Sequence, residues 1–240
     1  MTLNHKVIIT DTCVRDKQVR MCATVSEKRL LEVRCRKLGQ ESILGNIYVG
    51  RVQKVVPNIN AAFVEIQPGL ACYYSLEEKA VPVFVKKLPS EKLVQGDELL
   101  VQVTRESVKT KAPTVSGNLN LTGRYLILTS GDGRLGFSSK LKKEKKERLR
   151  TLLEPEQDSS AGIIVRTNAR EAADDVLLAE LCHLRERLLN ICQNASMRTC
   201  FSCLHRTPER DMTYLLNSYQ EGLTEIITDL PQVYEEIRQW

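Results

Sequence analysis

The chain has 240 residues, of which 42% are hydrophobic and 27% charged. This composition excludes wholesale disorder, and the length excludes a mini-protein and allows one or two domains. The formal net charge is only +5, yet the segment from Arg134 to Arg150 contains eight basic and two acidic residues, so attraction for a polyanion must be local. The eight cysteines have no tight spacing pattern and are expected to be reduced. Neither a secretory signal nor a run of about 18 apolar residues is present, which predicts a cytoplasmic protein without membrane contact.

Residues 1–42 are predicted to form three short strands. The apolar runs are VIIT, VRMCATV and LLEVRC, and polar turns separate them. Three strands without a covering helix cannot enclose a core, so they require partners from later in the chain.

Residues 43–117 have the pattern of a small β-barrel. Strands are predicted near 46–56, 61–66, 70–74 and 98–105, and a long loop is predicted between 79 and 93. Short strands with polar connections are typical of an OB-type barrel.

Two aromatic residues of this region are expected on one outer face of the barrel. Phe63 alternates with the apolar residues of its strand and lies beside Glu65, which predicts an outward ring. Tyr73 follows ten residues later, across a Gln-Pro-Gly turn, so antiparallel pairing can bring it next to Phe63. Two alternatives stay open: Tyr74 is the exposed ring instead of Tyr73, or the rings fill the barrel.

Residues 118–240 are predicted to mix strands and helices. A strand LTGRYLIL precedes a basic helix from Ser139 to Leu153, for which Ser139 is the expected N-cap. A strand GIIVRT then precedes a long amphipathic helix from about Ala169 to Cys192. The last segments are a strand at 200–205, a helix at 208–219, a strand LTEIIT and a helix from Pro231.

Six segments follow one another along nearly all of the chain: LGNIYVGRV, AAFVEI, CYYSLEE, QGDELLVQV, LNLTGRYLIL and GIIVRTNAREA. By their order and spacing, these segments resemble the ribonuclease E/G family. The resemblance implies an α+β fold in which a five-stranded OB/S1-type β-barrel (43–117) is inserted in a split ribonuclease-H-like α/β subdomain (1–42 and 197–240). It also implies an α/β 5'-sensor subdomain at 118–196.

The resemblance also implies two sets of RNA-contacting residues. The barrel contacts would be Phe63, Tyr73, Arg105 and Lys111. The pocket for a 5'-monophosphate would be Gly123, Ile127, Arg166 and Thr167. Their chemistry fits these roles, because aromatic rings stack on bases, a guanidinium grips a phosphate at two points, and glycine permits close approach.

Both sets have a structural alternative. Arg105 and Lys111 border a loop whose basic residues are equally well explained as solvated surface side chains. Where the family often has Lys-Gly, this chain has Lys111-Ala112-Pro113. An Arg-Thr pair at the end of a strand usually has a structural role.

No catalytic residue and no cofactor are assigned to this chain. Cleavage in the family uses paired aspartates that hold magnesium, which is expected only for the full-length enzyme, and Asp174-Asp175 lies in a helix with the wrong context. Cys200, Cys203 and His205 offer only three of the four ligands of a zinc site, so metal binding there is not predicted.

The sequence therefore predicts the N-terminal portion of a ribonuclease E/G-type endoribonuclease for RNA processing and decay. It is expected to bind single-stranded RNA and its 5'-monophosphate end but not to cut RNA alone, and the full-length enzyme is a possible homo-oligomer. The alternatives are a stand-alone S1-domain RNA-binding regulator and a structural protein whose aromatic residues are core.

Overall fold

The computed structural model describes residues 4–27, 29–39, 42–77, 81–131, 133–158, 161–207 and 223–238. The chain forms two compact units, one from 1–42 and 208–240 and the other from 43–207. The helix predicted at 208–219 lies outside the described residues.

The first unit is built on a four-stranded sheet that joins the two ends of the chain. Strands β1 (His5–Val14), β2 (Lys17–Ser26) and β3 (Arg29–Lys37) form an antiparallel meander, and β15 (Leu223–Thr228) pairs in parallel with β1. Helix α3 (Pro231–Arg238) follows, and its Val233 packs with Val7, Ile9 and Cys22 in the core of this unit. The N-terminal sheet is thus completed by a strand that begins more than 180 residues later in the chain.

The second unit contains a closed barrel of five strands. These are β4 (Ile47–Val56), β5 (Ala61–Gln67), β6 (Leu70–Ser75), β8 (Glu98–Arg105) and β9 (Thr114–Ser116). The order is β4-β5-β6-β9-β8, β8 returns to pair with β4, and only the β6–β9 pair is parallel. Short strands β7 (Phe84–Lys86) and β14 (Cys203–His205) extend the sheet beside β8 and β4. The barrel and the α+β class predicted from the sequence are confirmed.

A second sheet in the same unit carries the remaining helices. Its strands are β10 (Asn120–Thr122), β11 (Leu126–Thr129), β12 (Leu135–Phe137) and β13 (Gly162–Val165), in the order β10-β11-β13-β12. Helices α1 (Lys143–Leu153) and α2 (Asp174–Ala195) cover this sheet. Among the described residues, no helix is long and apolar enough to cross a membrane. Barrel residues Ile47, Val49 and Leu100 share one hydrophobic core with this sheet and with α2.

Several boundaries differ from the sequence prediction. Helix α1 begins at Lys143, because the backbone at Lys142 is still extended and Ser139 provides no cap. Helix α2 begins at Asp174, after a 3₁₀ turn over Thr167–Glu171. Strand β14 is shorter than predicted and pairs with β4, so this part of the predicted segment 197–240 lies in the barrel sheet, not in the split subdomain.

Asp97 connects the long loop of the barrel to the start of β8. Its fully buried carboxylate accepts hydrogen bonds from Leu88 N at 2.8 Å, Val94 N at 2.9 Å and Lys87 Nζ at 2.8 Å. Burial by itself would raise the pKa of Asp97, but the hydrogen bonds from Lys87 and the two backbone groups outweigh it and hold the pKa below its usual value. The ionised carboxylate therefore stabilises the loop.

Replacement Asp97→Asn is expected to lower the free energy of unfolding by about 1–3 kcal/mol, because the amide leaves buried donors without an acceptor. Folding lowers the pKa of Asp97. The contribution of Asp97 to the free energy of unfolding is therefore complete above its unfolded pKa of about 3.9, and it is lost as the pH falls through its pKa in the folded protein. Urea denaturation of both proteins at pH 7 and at decreasing pH measures this difference. Glu91→Gln, at an exposed position of the same loop, is the control. A stability difference that stays constant down to acid pH would contradict this account.

Candidate functional site

A row of five residues crosses the outer face of the barrel. Lys54 on β4 pairs with Phe63, Phe63 with Tyr73, Tyr73 with Thr114, and Thr114 with Arg105 on β8. We call these residues the outer row. Each belongs to a different strand, so the row spans the five strands of the barrel.

The side chains of the outer row point away from the barrel interior. Within β5, Ala62 and Val64 are fully buried while Phe63 between them is partly exposed. Within β6, Tyr74 is buried at 3% exposure while Tyr73 is partly exposed. The exposed ring of this pair is therefore Tyr73, and neither ring of the outer row fills the barrel.

The outer row combines an apolar platform with cations at both ends. Phe63 and Tyr73 are directly opposite each other on antiparallel strands, where Cβ atoms lie about 4.5–5.5 Å apart, so the two rings are neighbours. Lys54 and Arg105 are exposed at the two ends of the row. Rings of this kind can stack on bases, while flanking cations can contact phosphates.

Sequence reasoning missed Lys54, and a β-bulge explains why. The pairing register of β4 with β5 shifts between Val52 and Lys54, so Gln53 is an extra residue. Simple alternation from the buried Val52 would direct Lys54 inward. The bulge reverses this parity and leaves Lys54 exposed beside Phe63.

Lys111 lies on the exposed loop that joins β8 to β9. Its backbone N–H donates to Val108 O at 3.0 Å, which closes a tight turn in which Lys109 has a φ of +55°. Pro113 is buried, and its carbonyl accepts a hydrogen bond of 2.8 Å from Tyr73 N. This backbone hydrogen bond fastens the end of the loop to the strand that carries Tyr73.

The second group of predicted residues meets at one corner of the second sheet. Arg166 directly follows β13, and its Nη1 donates to Gly123 O at 2.5 Å. Thr167 is next in the chain, and its hydroxyl lies 2.9 Å from Ser138 Oγ. Gly123, Arg166, Thr167 and Ser138 are called the Arg166 corner below.

Ile127 lies on the strand beside this corner. It pairs with Ile164 on β13, which is 39% exposed, and Ile164 in turn pairs with Gly136 on β12. The outward face of the sheet therefore has a short apolar strip leading to Arg166. Burial lowers the pKa of Arg166, although the Glu180 carboxylate opposes this effect.

Glu180, which the sequence did not identify, occupies the glycine loop of this corner. Its carboxylate accepts backbone hydrogen bonds from Arg124 at 2.6 Å, Tyr125 at 2.9 Å and Leu126 at 2.8 Å. A Cβ atom on Gly123 would lie 2.6 Å from Glu180 Cδ, so the glycine is needed for the close approach of this carboxylate. An external phosphate at the corner would therefore meet side-chain donors rather than these three N–H groups.

The cysteine-histidine stretch ends in strand β14, which contains Cys203 and His205. Cys203 Sγ lies 3.3 Å from His205 O, and burial raises the pKa of the Cys200 and Cys203 thiols. Over the ranges that the structure describes, no three His, Cys, Asp or Glu side chains are grouped so that they could hold a metal ion. Asp174, in the first turn of α2, instead pairs with Arg148.

Comparison with known proteins gives one family. A model of the ribonuclease E/G family matches residues 120–240, just over half of the chain. Ribonuclease E of Synechocystis sp. is 28% identical over 200 residues, which are 82% of this chain and 30% of that protein. Ribonuclease G of Haemophilus influenzae is 26% identical over 229 residues, 91% of this chain and 47% of that protein. Ribonuclease G of Escherichia coli is 30% identical over 170 residues, 65% of this chain and 34% of that protein.

The chain thus spans less than half the length of these curated relatives. The matches to the relatives include the barrel as well as the second sheet, since they cover up to 91% of the chain. The closed five-stranded barrel in a mixed α+β fold agrees with these matches. The chain belongs to the ribonuclease E/G family.

Proposed function

We propose that this chain is the RNA-capturing portion of a ribonuclease E/G-type endoribonuclease that acts in RNA processing and decay. Single-stranded RNA lies across the outer row, and its 5'-monophosphate end is held at the Arg166 corner. The names of the relatives, ribonuclease E and ribonuclease G, support RNA as the ligand. Cleavage by the whole protein, and its assembly into a homo-oligomer, are parts of the same proposal.

The observation that carries the proposal is the pairing of the outer row. Two aromatic rings that face outward from directly opposed positions on adjacent strands form an apolar surface on which bases can stack. Stacking works with every base, because every base has a π face, so binding is expected to tolerate many sequences.

The cations at the ends of the outer row direct the course of the RNA strand across the barrel. Lys54 and Arg105 lie at opposite ends, and Lys111 extends the basic surface beyond Arg105 on the loop. Phosphates that follow the stacked bases can contact these three side chains. Such contacts position the strand without reading its sequence, and they make affinity depend on salt.

The Arg166 corner suits a terminal phosphate better than a terminal hydroxyl. Arg166 is partly buried, and a monophosphate carrying about −1.5 to −2 charges at pH 7 compensates a desolvated guanidinium as a hydroxyl cannot. Thr167 adds a hydroxyl beside it, and Ile127 with Ile164 offers apolar surface to the terminal nucleoside.

No step of cleavage is assigned to this chain. Magnesium in a nuclease is held by carboxylates, and the described residues provide no cluster of them that fits the ion. A stand-alone RNA-binding regulator would bind RNA through the same surfaces. The two functions are separated by assaying the whole protein for magnesium-dependent cleavage of RNA.

Phe63→Ala is expected to weaken binding of unstructured RNA by about 1–3 kcal/mol, because one stacking surface is lost. Lys54→Ala should instead reduce the salt dependence, lowering the slope of log K against log salt by about 0.7 for one lost phosphate contact to a single strand. Fluorescence anisotropy at several salt concentrations measures both. Tyr234→Ala, which removes an exposed ring from the other unit, is the matched control. Unchanged affinity of a folded Phe63→Ala protein would remove the barrel from the proposal.

Arg166→Ala is expected to abolish the preference for 5'-monophosphorylated over 5'-hydroxylated RNA of the same sequence. The physical reason is that the guanidinium is the charged donor of the corner. Competition binding with the two RNAs measures the preference. Lys140→Ala, which removes an exposed cation of the same unit, should lower both affinities alike and leave the ratio unchanged. A ratio that survives Arg166→Ala would disprove the sensor.

A further inference from the structure

An open cleft of about 310 Å³ lies beside the C-terminal half of α2 and strand β14. Its helical side is formed by Arg187, Asn190 and Asn194, which follow one another at three- and four-residue spacing and therefore share one face of the helix. Arg198 continues this line just after the helix ends, and His205 faces it from β14. No residue of the outer row or of the Arg166 corner lines this cleft.

The polar groups of the cleft are mainly hydrogen-bond donors. Arg187 Nη2 lies 3.3 Å from His205 Nδ1. Burial and the neighbouring Arg187 lower the pKa of His205 to about 4, so the imidazole is neutral at pH 7. A neutral ring that accepts from Arg187 at Nδ1 carries its proton on Nε2 and can donate it to a ligand.

The charge of the lining is positive. Two arginines are present, and among the described residues that line the cleft there is no carboxylate. Cys203 also contributes, but burial raises its pKa, so it remains a neutral thiol. An anion entering the cleft would meet two guanidinium groups and no opposing charge from the lining side chains.

Helix stability alone does not explain this arrangement. Arginines near the C-terminal end of a helix are favourable because the helix dipole is negative there. That effect requires neither the two asparagines in line with the arginines nor a neutral histidine facing them. Ile191 and Leu204 add apolar surface to the cleft, as in sites that bind an organic ligand as well as its charged group.

We propose that the cleft binds a nucleoside phosphate, with the phosphate held by Arg187, Arg198 and His205 and the nucleoside lying against Ile191 and Leu204. The asparagines can bond to ribose or base. The nucleoside phosphate is either a free nucleotide or one residue of an RNA strand. This is a third contact site, separate from the two surfaces of the proposed function.

The ring signals of histidine in two-dimensional ¹H–¹⁵N NMR spectra provide the test. The chain has only three histidines, and His183 lies exposed on α2 as an internal reference. The protein is titrated with inorganic phosphate, with adenosine 5'-monophosphate and with an unstructured oligoribonucleotide bearing a 5'-hydroxyl. We expect the His205 signals to shift and saturate with the nucleotide or the oligonucleotide, at lower concentration than with inorganic phosphate, while His183 stays constant.

If the His205 signals saturate with adenosine 5'-monophosphate and the oligonucleotide does not displace it, the ligand is a free nucleotide. If they saturate at a lower concentration of oligonucleotide than of mononucleotide, the ligand is RNA. Arg198→Gln should weaken either response about tenfold or more, since a hydrogen bond to a charged group contributes about 1.5–3 kcal/mol. Arg150→Gln, which removes an arginine of α1 outside the cleft, is the matched control.

The same titration is repeated in a protein carrying Phe63→Ala and Arg166→Ala. The His205 response should persist there, so failure of the cleft and failure of the two proposed RNA surfaces give different results. A His205 shift that does not saturate, or one that is unchanged by Arg198→Gln, would overturn the proposal.

Discussion

Closure of the barrel by the pairing of β4 with β8 is the constraint on which the rest of the second unit depends. The first half of β4 pairs with β8, and its second half pairs with β5. A strand shared in this way must curve tightly, and Gly50 lies at the change of partner. A Cβ atom on Gly50 would lie 2.5 Å from Val64 Cγ1, so the interior has no room for a side chain there. Once the barrel is closed, each strand has an inner and an outer face, and the outer row is the consequence.

Helix α2 connects the surfaces of this unit. Its buried residues Leu177, Leu181 and Leu184 anchor it to the core that the barrel shares with the second sheet. From this rigid position, Glu180 holds the backbone of the loop at the Arg166 corner, and Arg187 faces the cleft beside β14. The two proposed sites are thus positioned by one helix, because its apolar face fixes the orientation of its polar faces.

The distribution of charge shows why a basic segment is a poor guide to a binding site. The densest run of lysines and arginines forms α1, yet several of its cations are paired within the fold. Lys145 contacts Glu171, Arg150 contacts Glu147, and Arg148 contacts Asp174 and the Ala172 carbonyl. The Arg150–Glu147 pair lies within α1, whereas Lys145 and Arg148 contact residues just before and at the start of α2. Exposed ion pairs of this kind contribute little stability, but they reduce the attraction of the segment for an external polyanion.

The sequence by itself determined the parts of this protein that depend on local periodicity. Alternation in β5 was sufficient to predict the barrel strand and the outward ring of Phe63, and helical spacing was sufficient to predict that α2 is amphipathic. Only the tertiary structure decided the features that depend on irregular backbone or on contacts between distant residues. The bulge at Gln53 turned Lys54 outward, and the approach of Glu180 to Gly123 joined residues 57 positions apart. The pairing of β14 with β4 placed His205 opposite α2, because strand partners are chosen by packing across the whole chain and no local pattern records them.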